Sequence, residues 1–357
     1  MTRAFLNRIG TAVPPHDIHA EFVDFARSAL PDDRARALFA RMEALAGIEH
    51  RYAWFEPGPK PRDRFLDADR FYERGRFPGT RARMALYETW ALQLALRAVE
   101  RLGPLGRITH LVVASCTGFS APGLDLQLAT ALGLAPEAER TIIGFMGCFA
   151  GASALRHARH IVRSEPEARV LVVNVELSSL HLQEQWELDR MLMFLLFADG
   201  CGASLVTGEP GGIELGTFGA TVLPRSQDLI TWHIGDTGFE MRLSGQVPGR
   251  IRRWLGEHGR TALGIDDPDA VPHWAVHAGG RTVLDAVQAG LGLAPGALMD
   301  SRAVLRDYGN MSSATLIFVL ERILHGGSGG RGAPTGEGIG MAFGPGLSVE
   351  TFRFRRL

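Results

Sequence analysis

Cysteine is scarce. Only Cys116, Cys148 and Cys201 occur in 357 residues; they are too few and too scattered for a disulfide framework, and no pair has metal-ligand spacing. The expected setting is a reducing cytoplasm. Excess charge is also missing: 38 basic and 39 acidic residues leave a net charge of −1, which gives no reason to expect a nucleic-acid or membrane partner. Long apolar runs are absent as well. The longest, "MLMFLLFA" from Met191 to Ala198, falls far short of the roughly 20 residues that span a bilayer. The stretch "MTRAFLNRIGTAVPP" lacks the apolar core of a signal peptide. What is present is ordinary globular composition, 46% hydrophobic and 22% charged, with material for one large domain or two. A soluble cytoplasmic protein is expected.

Residues 1 to about 105 read as mostly helical and arginine-rich. The clearest amphipathic helix is "RARMALYETWALQLALRAVERLG", with Met84, Leu86, Trp90, Leu94 and Val99 as its apolar face and the charges from Arg81 to Arg101 on a solvated one. Short apolar strands follow, "ITHLVVAS", "RTIIGF", "RVLVVNVEL" and "GASLVTG", several of them separated by helices. That alternation predicts an α/β layered fold with a buried sheet. Past Gly211 the pattern restarts with "HWAVHAGG" as a strand and "RTVLDAVQAGLGL" as a helix, and "GIGMAFGPGLSVETFRFRR" closes the chain as a hairpin. The stretch "HGGSGGRGAPTGEG" before it reads as a flexible surface loop.

The two halves, 1–210 and 211–357, echo each other. "LATALGLAPEA" is followed, twelve residues beyond its proline, by Cys148; "VQAGLGLAPGA" is followed, fifteen beyond its proline, by Asn310. In each half a polar residue follows glycine and opens a long helix, "GCFAGASAL" against "GNMSSATL". A duplication would set the two helix N-termini side by side about a pseudo-twofold axis.

Cys148 follows a β-branched apolar run, Thr141 to Phe145, and stands at the mouth of a helix expected to run to about Arg163. Unpaired N–H groups and the macrodipole at such a terminus favour a thiolate and hence a nucleophile; the ordinary reading of a lone cysteine is a small buried side chain. His277 ends an apolar strand, a place suited to chemistry in open α/β sheets, although alone it reads as a core histidine. Asn310 alone reads as a helix cap. Together the three occupy equivalent element ends of a duplicated fold, and coincidence is a poor account of that.

These residues carry a resemblance. "GFMGCFAGASAL", "FADGCGASL", "VHAGGRTVLDAV", "YGNMSSATLIFVL" and, most specifically, "AFGPGLSVET" resemble the type III polyketide synthases, the chalcone and stilbene synthase-like branch of the thiolase superfamily, over nearly the whole length. The resemblance implies a duplicated thiolase-like αβαβα layered sandwich and a homodimer. It implies an acyltransferase with Cys148, His277 and Asn310 as catalytic residues, acyl-CoA and malonyl-CoA as substrates, and no metal or redox cofactor. On this reading Cys148, activated by a His277 imidazolium, takes the starter acyl group; His277 and Asn310 then stabilise the enolate formed when malonyl-CoA loses CO₂.

The same resemblance assigns a pocket. Phe197 matches a gatekeeping phenylalanine, Met241 stands where the second one is usual, and Cys116 matches an active-site threonine. Ser178 and Ser312 contribute small polar walls, with Ser312 beside the triad. Phe343 and Pro345 belong to the C-terminal loop, and Trp232 replaces a glycine and narrows one side. Ala121 replaces a methionine that reaches across the dimer, and Cys201 is core filler. Of the basic trio that holds CoA phosphates in plant enzymes only Arg41 aligns. Leu38 and Leu45 fill the other places, with Arg34, Arg36 and Arg51 nearby as substitutes or as a plain solvated helix. That departure leaves room for a starter carried on an acyl carrier protein. Rival readings are a β-ketoacyl synthase III-like single condensation, a papain-like Cys-His-Asn hydrolase, and a non-catalytic dimer partner. The product class expected is a resorcinol, pyrone or phloroglucinol-type ring from a fatty or short acyl starter.

Overall fold

The computed structural model describes residues 2–60, 64–185, 190–191, 195–327 and 335–357; positions 192–194 of the apolar run and 328–334 of the glycine-rich loop lie outside them. The strands are β1 (Phe5–Ala12), β2 (His16–Asp17), β3 (Tyr52–Ala53), β4 (His110–Ser115), β5 (Glu139–Gly144), β6 (Arg169–Leu177), β7 (Asp199–Thr207), β8 (Ile213–Val222), β9 (Ile230–Gly235), β10 (Gly238–Leu243), β11 (His273–Val276), β12 (Gly336–Gly344) and β13 (Ser348–Arg356). Helices α1 (His19–Ala29), α2 (Asp33–Ala46), α3 (Thr80–Glu100), α4 (Leu124–Ala131) and α5 (Ala150–Ser164) belong to the first half.

Nine strands form one sheet in the order β11-β12-β13-β8-β1-β7-β6-β4-β5. Outward from its centre, β1-β7-β6-β4 pair antiparallel, antiparallel and then parallel. β8-β13-β12-β11 repeat that sequence of pairings. The two sets meet where β1 lies antiparallel to β8, Leu6 opposite Ile213. Among the described residues β5 has no counterpart in the second set. The duplication expected from the repeated motif is therefore a property of the sheet itself.

Side-chain alternation along the strands builds the layers. Leu111 and Val113 of β4, with Leu171, Val173 and Val175 of β6, pack in one core with α1 and α3. Their neighbours Val112, Ala114, Val170 and Val172 face a second core with α5 and the helix Thr315–Leu324. Ala275, Ala342, Phe352 and Phe354 enter that same middle core from the second half. Trp274, Val276, Ile339 and Met341 turn to a third core against Val247–Trp254 and Arg281–Leu291. Two helices lie between the half-sheets and others cover the outside, an αβαβα sandwich. The central pair fits this place by composition. α5 buries Ala150, Gly151, Ala152, Ser153 and Ala154, and Thr315–Leu324 is apolar almost all round, as a wholly enclosed helix must be.

The repeated "LGLAP" is a helix terminator in both halves. Gly133 and Gly292 take φ of +60° and +69°. The next leucines donate back five residues, Leu134 N–H to Ala129 O (2.9 Å) and Leu293 N–H to Gln288 O (2.9 Å), the long bond of a Schellman end.

Three local expectations need correction. The first 105 residues include β1, an inner strand of the sheet, whose polar Asn7 and Arg8 interrupt its apolar pattern. On α3 the core face is Tyr87, Ala91, Leu94, Ala95 and Ala98, while Met84, Leu86 and Trp90 are only half-buried; small residues let the helix lie close on the strands. Arg83, read as solvated, is wholly buried and donates to Pro78 O, Leu180 O and Leu182 O. No described helix is long and apolar enough to cross a membrane.

Candidate active site

Cys148 lies in the turn between β5 and α5, one residue before the N-cap Phe149, rather than inside the first helical turn. Gly147, at φ +85°, makes the turn possible: a Cβ there would stand 2.2 Å from Pro345 Cδ. The C-terminal loop thus packs directly on the residue before the thiol. Ala150 N–H closes the turn on Gly147 O (2.9 Å). Cys116, just past β4, lies beneath it. Its sulfur accepts the Gly147 N–H (2.9 Å) and its S–H points to Gly147 O (3.5 Å).

His277 is the residue after β11, its N–H on Met341 O (2.8 Å). Asn310 follows the helix Met299–Tyr308, whose end is Gly309. Asn310 is tied through its backbone to Leu196 O and Ala198 N, beside Phe197. Its side chain is fixed at both ends. Nδ2 donates to Gly279 O (3.2 Å) and Oδ1 accepts the Ser312 N–H (2.9 Å). A Cβ on Gly279 would touch the His277 ring at 3.3 Å, and the Ser312 side chain hydrogen-bonds the Cys148 sulfur. Ser312 thus links Cys148 to Asn310, and Gly279, whose N–H donates to His277 O (2.9 Å), links Asn310 to His277. The two helix N-termini meet as the duplication predicts, because Gly151 of α5 lies so near Ser313 O that a Cβ would approach to 2.5 Å.

Burial pushes the Cys148 thiol up to about 12, opposed by the Ser312 bond and aided by the charge of Glu176. Burial takes His277 down to about 4. An enclosed apolar setting penalises the charged form of each group. The buried His277 Nδ1 has no partner among the described residues, so neither tautomer is imposed on the ring.

Other assigned residues divide. Trp232 donates Nε1–H to Cys116 O (2.8 Å) and meets His181 and Phe239 edge-on. These three rings close the space behind Cys116. His181 is wholly buried and locked as the Nε2–H tautomer between Thr117 O (2.7 Å) and Phe239 N–H (3.0 Å). Ser178 is buried at the end of β6, and Phe343 sits in the third core. Cys201 is fully enclosed in the first. Met241 lines a cavity of about 820 Å³ that reaches Gly279 and Gly280; Leu196, rather than Phe197, forms the adjoining wall.

The basic residues at this cavity are Arg190, Arg242 and Arg281, with Met42, Leu45 and Ala46 of α2. Arg41 is exposed on α2 and is not part of the lining. Arg51 is no phosphate ligand: it is 2% exposed, donates Nη1–H to Phe197 O (2.9 Å) and Nε–H to His19 Nδ1 (2.9 Å), and so braces the strand that pairs with Asn310. Arg36 is spent on Asp33 and Leu30 O. Nothing in the sequence pattern singled out Arg190, Arg242 and Arg281 from the other arginines, since three separate segments bring them together.

Glu176 was also missed, although one acid inside "RVLVVNVEL" is a signal. It accepts from Cys116 N–H (2.9 Å), Thr117 Oγ1 (2.9 Å) and Ser313 Oγ, and burial raises it to about 7.

The family model "Chalcone and stilbene synthases, N-terminal domain" matches residues 2–210, and the corresponding C-terminal domain model matches 214–357. The chain is 34% identical to bisdemethoxycurcumin synthase of Oryza sativa subsp. japonica, over 96% of this chain and 90% of that protein. Among solved structures it is similar to the C-terminal type III polyketide synthase domain of Steely1, a type I/III hybrid from Dictyostelium (TM-score 0.89, 25% identity, 99% of each chain). It is also similar to PKS-I from the brown alga Ectocarpus siliculosus (TM-score 0.85, 28% identity, 100% of this chain and 99% of that one).

Proposed function

We propose a reaction course from one premise: this chain belongs to the chalcone and stilbene synthase family, the type III polyketide synthases. Cys148 Sγ attacks the thioester carbonyl of an acyl starter. His277 accepts the thiol proton and returns it to the departing CoA sulfur. Malonyl-CoA then loses CO₂. The electron pair of the broken C–C bond passes into an enolate, whose oxygen takes hydrogen bonds from Asn310 Nδ2–H and His277 Nε2–H. Asparagine suits this task because it donates without titrating. The enolate carbon attacks the acyl–Cys148 carbonyl, the C–S bond breaks with its electron pair going to Cys148 Sγ, which takes up a proton from solvent, and the lengthened chain leaves on CoA for a further round.

The carrying observation is the hydrogen-bonded linkage from Cys148 through Ser312 and Asn310 to Gly279 and the backbone of His277. Decarboxylation itself supplies the carbanion, so the course as written calls for no metal or redox group. A cytoplasmic homodimer is part of the proposal, as is cyclisation to a resorcinol, pyrone or phloroglucinol-type ring from an aliphatic starter. Trp232, His181 and Phe239, which fill the floor behind Cys116, support an aliphatic starter over a bulky aromatic one. The test is a starter panel from acetyl- to palmitoyl-CoA, with coumaroyl-CoA beside it, incubated with radiolabelled malonyl-CoA. Ring products from aliphatic starters are expected. One condensation per starter would favour the β-ketoacyl synthase III reading, and turnover of coumaroyl-CoA alone would refute the product class.

A further inference from the structure

Helix α2 is almost without a partner, Phe39 being its one buried side chain. Leu38, Met42 and Leu45 are 43%, 38% and 51% exposed. With Arg34 and Arg41, both exposed, they recur at three- and four-residue spacings and so form one stripe along the helix. The stripe leads into the mouth of the cavity that ends at Gly279. Met42 and Leu45 line that mouth with Arg190, Arg242 and Arg281, and no carboxylate lies in the described lining. Arg281 donates to Leu45 O (3.3 Å), tying helix and mouth together.

The nucleotide end of CoA is phosphate and ribose, and exposed leucines offer it nothing. An apolar centre edged by arginines is instead the anatomy of a protein–protein contact. Its positive charge fits an acidic partner. The cavity behind it calls for a partner that inserts a narrow acyl-bearing arm. We infer that this face docks an acyl carrier protein, whose phosphopantetheine thioester enters the cavity and hands its acyl group to Cys148. The inference rests on the polyketide synthase reading. In the transfer Cys148 Sγ bonds to the acyl carbon, the bond from that carbon to the phosphopantetheine sulfur breaks, and the thiol proton goes to that sulfur; no other reactant enters.

The experiment compares a dodecanoyl group delivered on a bacterial fatty-acid acyl carrier protein with the same group on CoA, reading Cys148 acylation by intact-protein mass spectrometry. Leu38→Ala lies on the stripe and outside the cavity lining, and it adds no charge near the path of the CoA phosphates. It should slow loading from the carrier protein by about tenfold and change loading from CoA by less than about twofold. Loading from CoA also serves as the control for folding. Equal losses from both donors, no loss from either, or no loading from the carrier protein would overturn the inference while leaving the reaction course intact. No loading from either donor would overturn both. Binding of the protein to anionic phospholipid vesicles that Leu38→Ala weakens, with carrier-protein loading unaffected, would assign the stripe to a membrane surface instead.

Discussion

Replacing Glu176 by glutamine should remove a defined part of the protein's pH dependence. Glutamine keeps the geometry: its oxygen can accept from Cys116 N–H and Thr117 Oγ1, while its NH₂ donates to Ser313 Oγ. The wild-type carboxyl is held at about 7 against an ordinary value of 4.5, chiefly by burial. Between those values the native protein holds a proton that the unfolded chain releases. The contribution to stability is therefore full below pH 4.5, declines as pH rises, and is lost once pH passes about 7. The gap corresponds to about 3 kcal/mol. Urea unfolding of both proteins across this range should show the wild type losing about that much relative to Glu176→Gln, then running parallel to it above neutrality. Asp199, also raised to about 7 chiefly by burial, owes a smaller part of that rise to the Glu176 charge, so its own pH dependence shrinks slightly in the variant and adds to the difference in the same direction. Because the Glu176 charge opposes thiolate formation at Cys148, iodoacetamide should label Cys148 faster in the variant above pH 7. Parallel stability curves throughout, with unchanged labelling, would refute the buried-acid account.

Gly147→Ala combines a left-handed φ, costing about 1–2 kcal/mol, with overpacking against Pro345, about 1–3 kcal/mol. A drop of about 2–5 kcal/mol in unfolding free energy and loss of Cys148 loading are expected, read by urea melts and acyl mass. Trp232→Ala opens the floor behind Cys116, so selectivity should move toward larger starters or longer products by about tenfold or more. An unchanged product profile in the starter panel would show that this ring does not bound the cavity.

The fold was readable where the pattern was local and regular. The apolar runs at β4, β6 and β7, the hairpin of β12 and β13, and the repeated LGLAP helix ends all declare themselves in short windows. β1, β8 and the β9–β10 hairpin did not, because their polar and glycine residues blur a two-residue period that only neighbouring strands enforce. Cys148, His277 and Asn310 stood out through the duplication. Their burial did not, because it is set by α5, the Ser312 turn and Pro345 from distant parts of the chain. Arg83 and Arg51 look like surface charge in sequence. Tertiary structure makes one a brace for the carbonyls of Leu180 and Leu182 and the other a brace for Phe197. The arginines of the cavity mouth were illegible for the same reason.

The central claim, that Cys148 carries the growing acyl group while Asn310 serves only the decarboxylation, is tested most directly by following both steps in one protein. Asn310→Ala, incubated with acyl-CoA and then with malonyl-CoA labelled at its carboxyl, should show the acyl mass on Cys148 by peptide mapping and almost no released label. The wild type should show the acyl mass first, then label release and loss of the acyl adduct. An acyl group found on another residue, or label released by Asn310→Ala at the wild-type rate, would contradict the account.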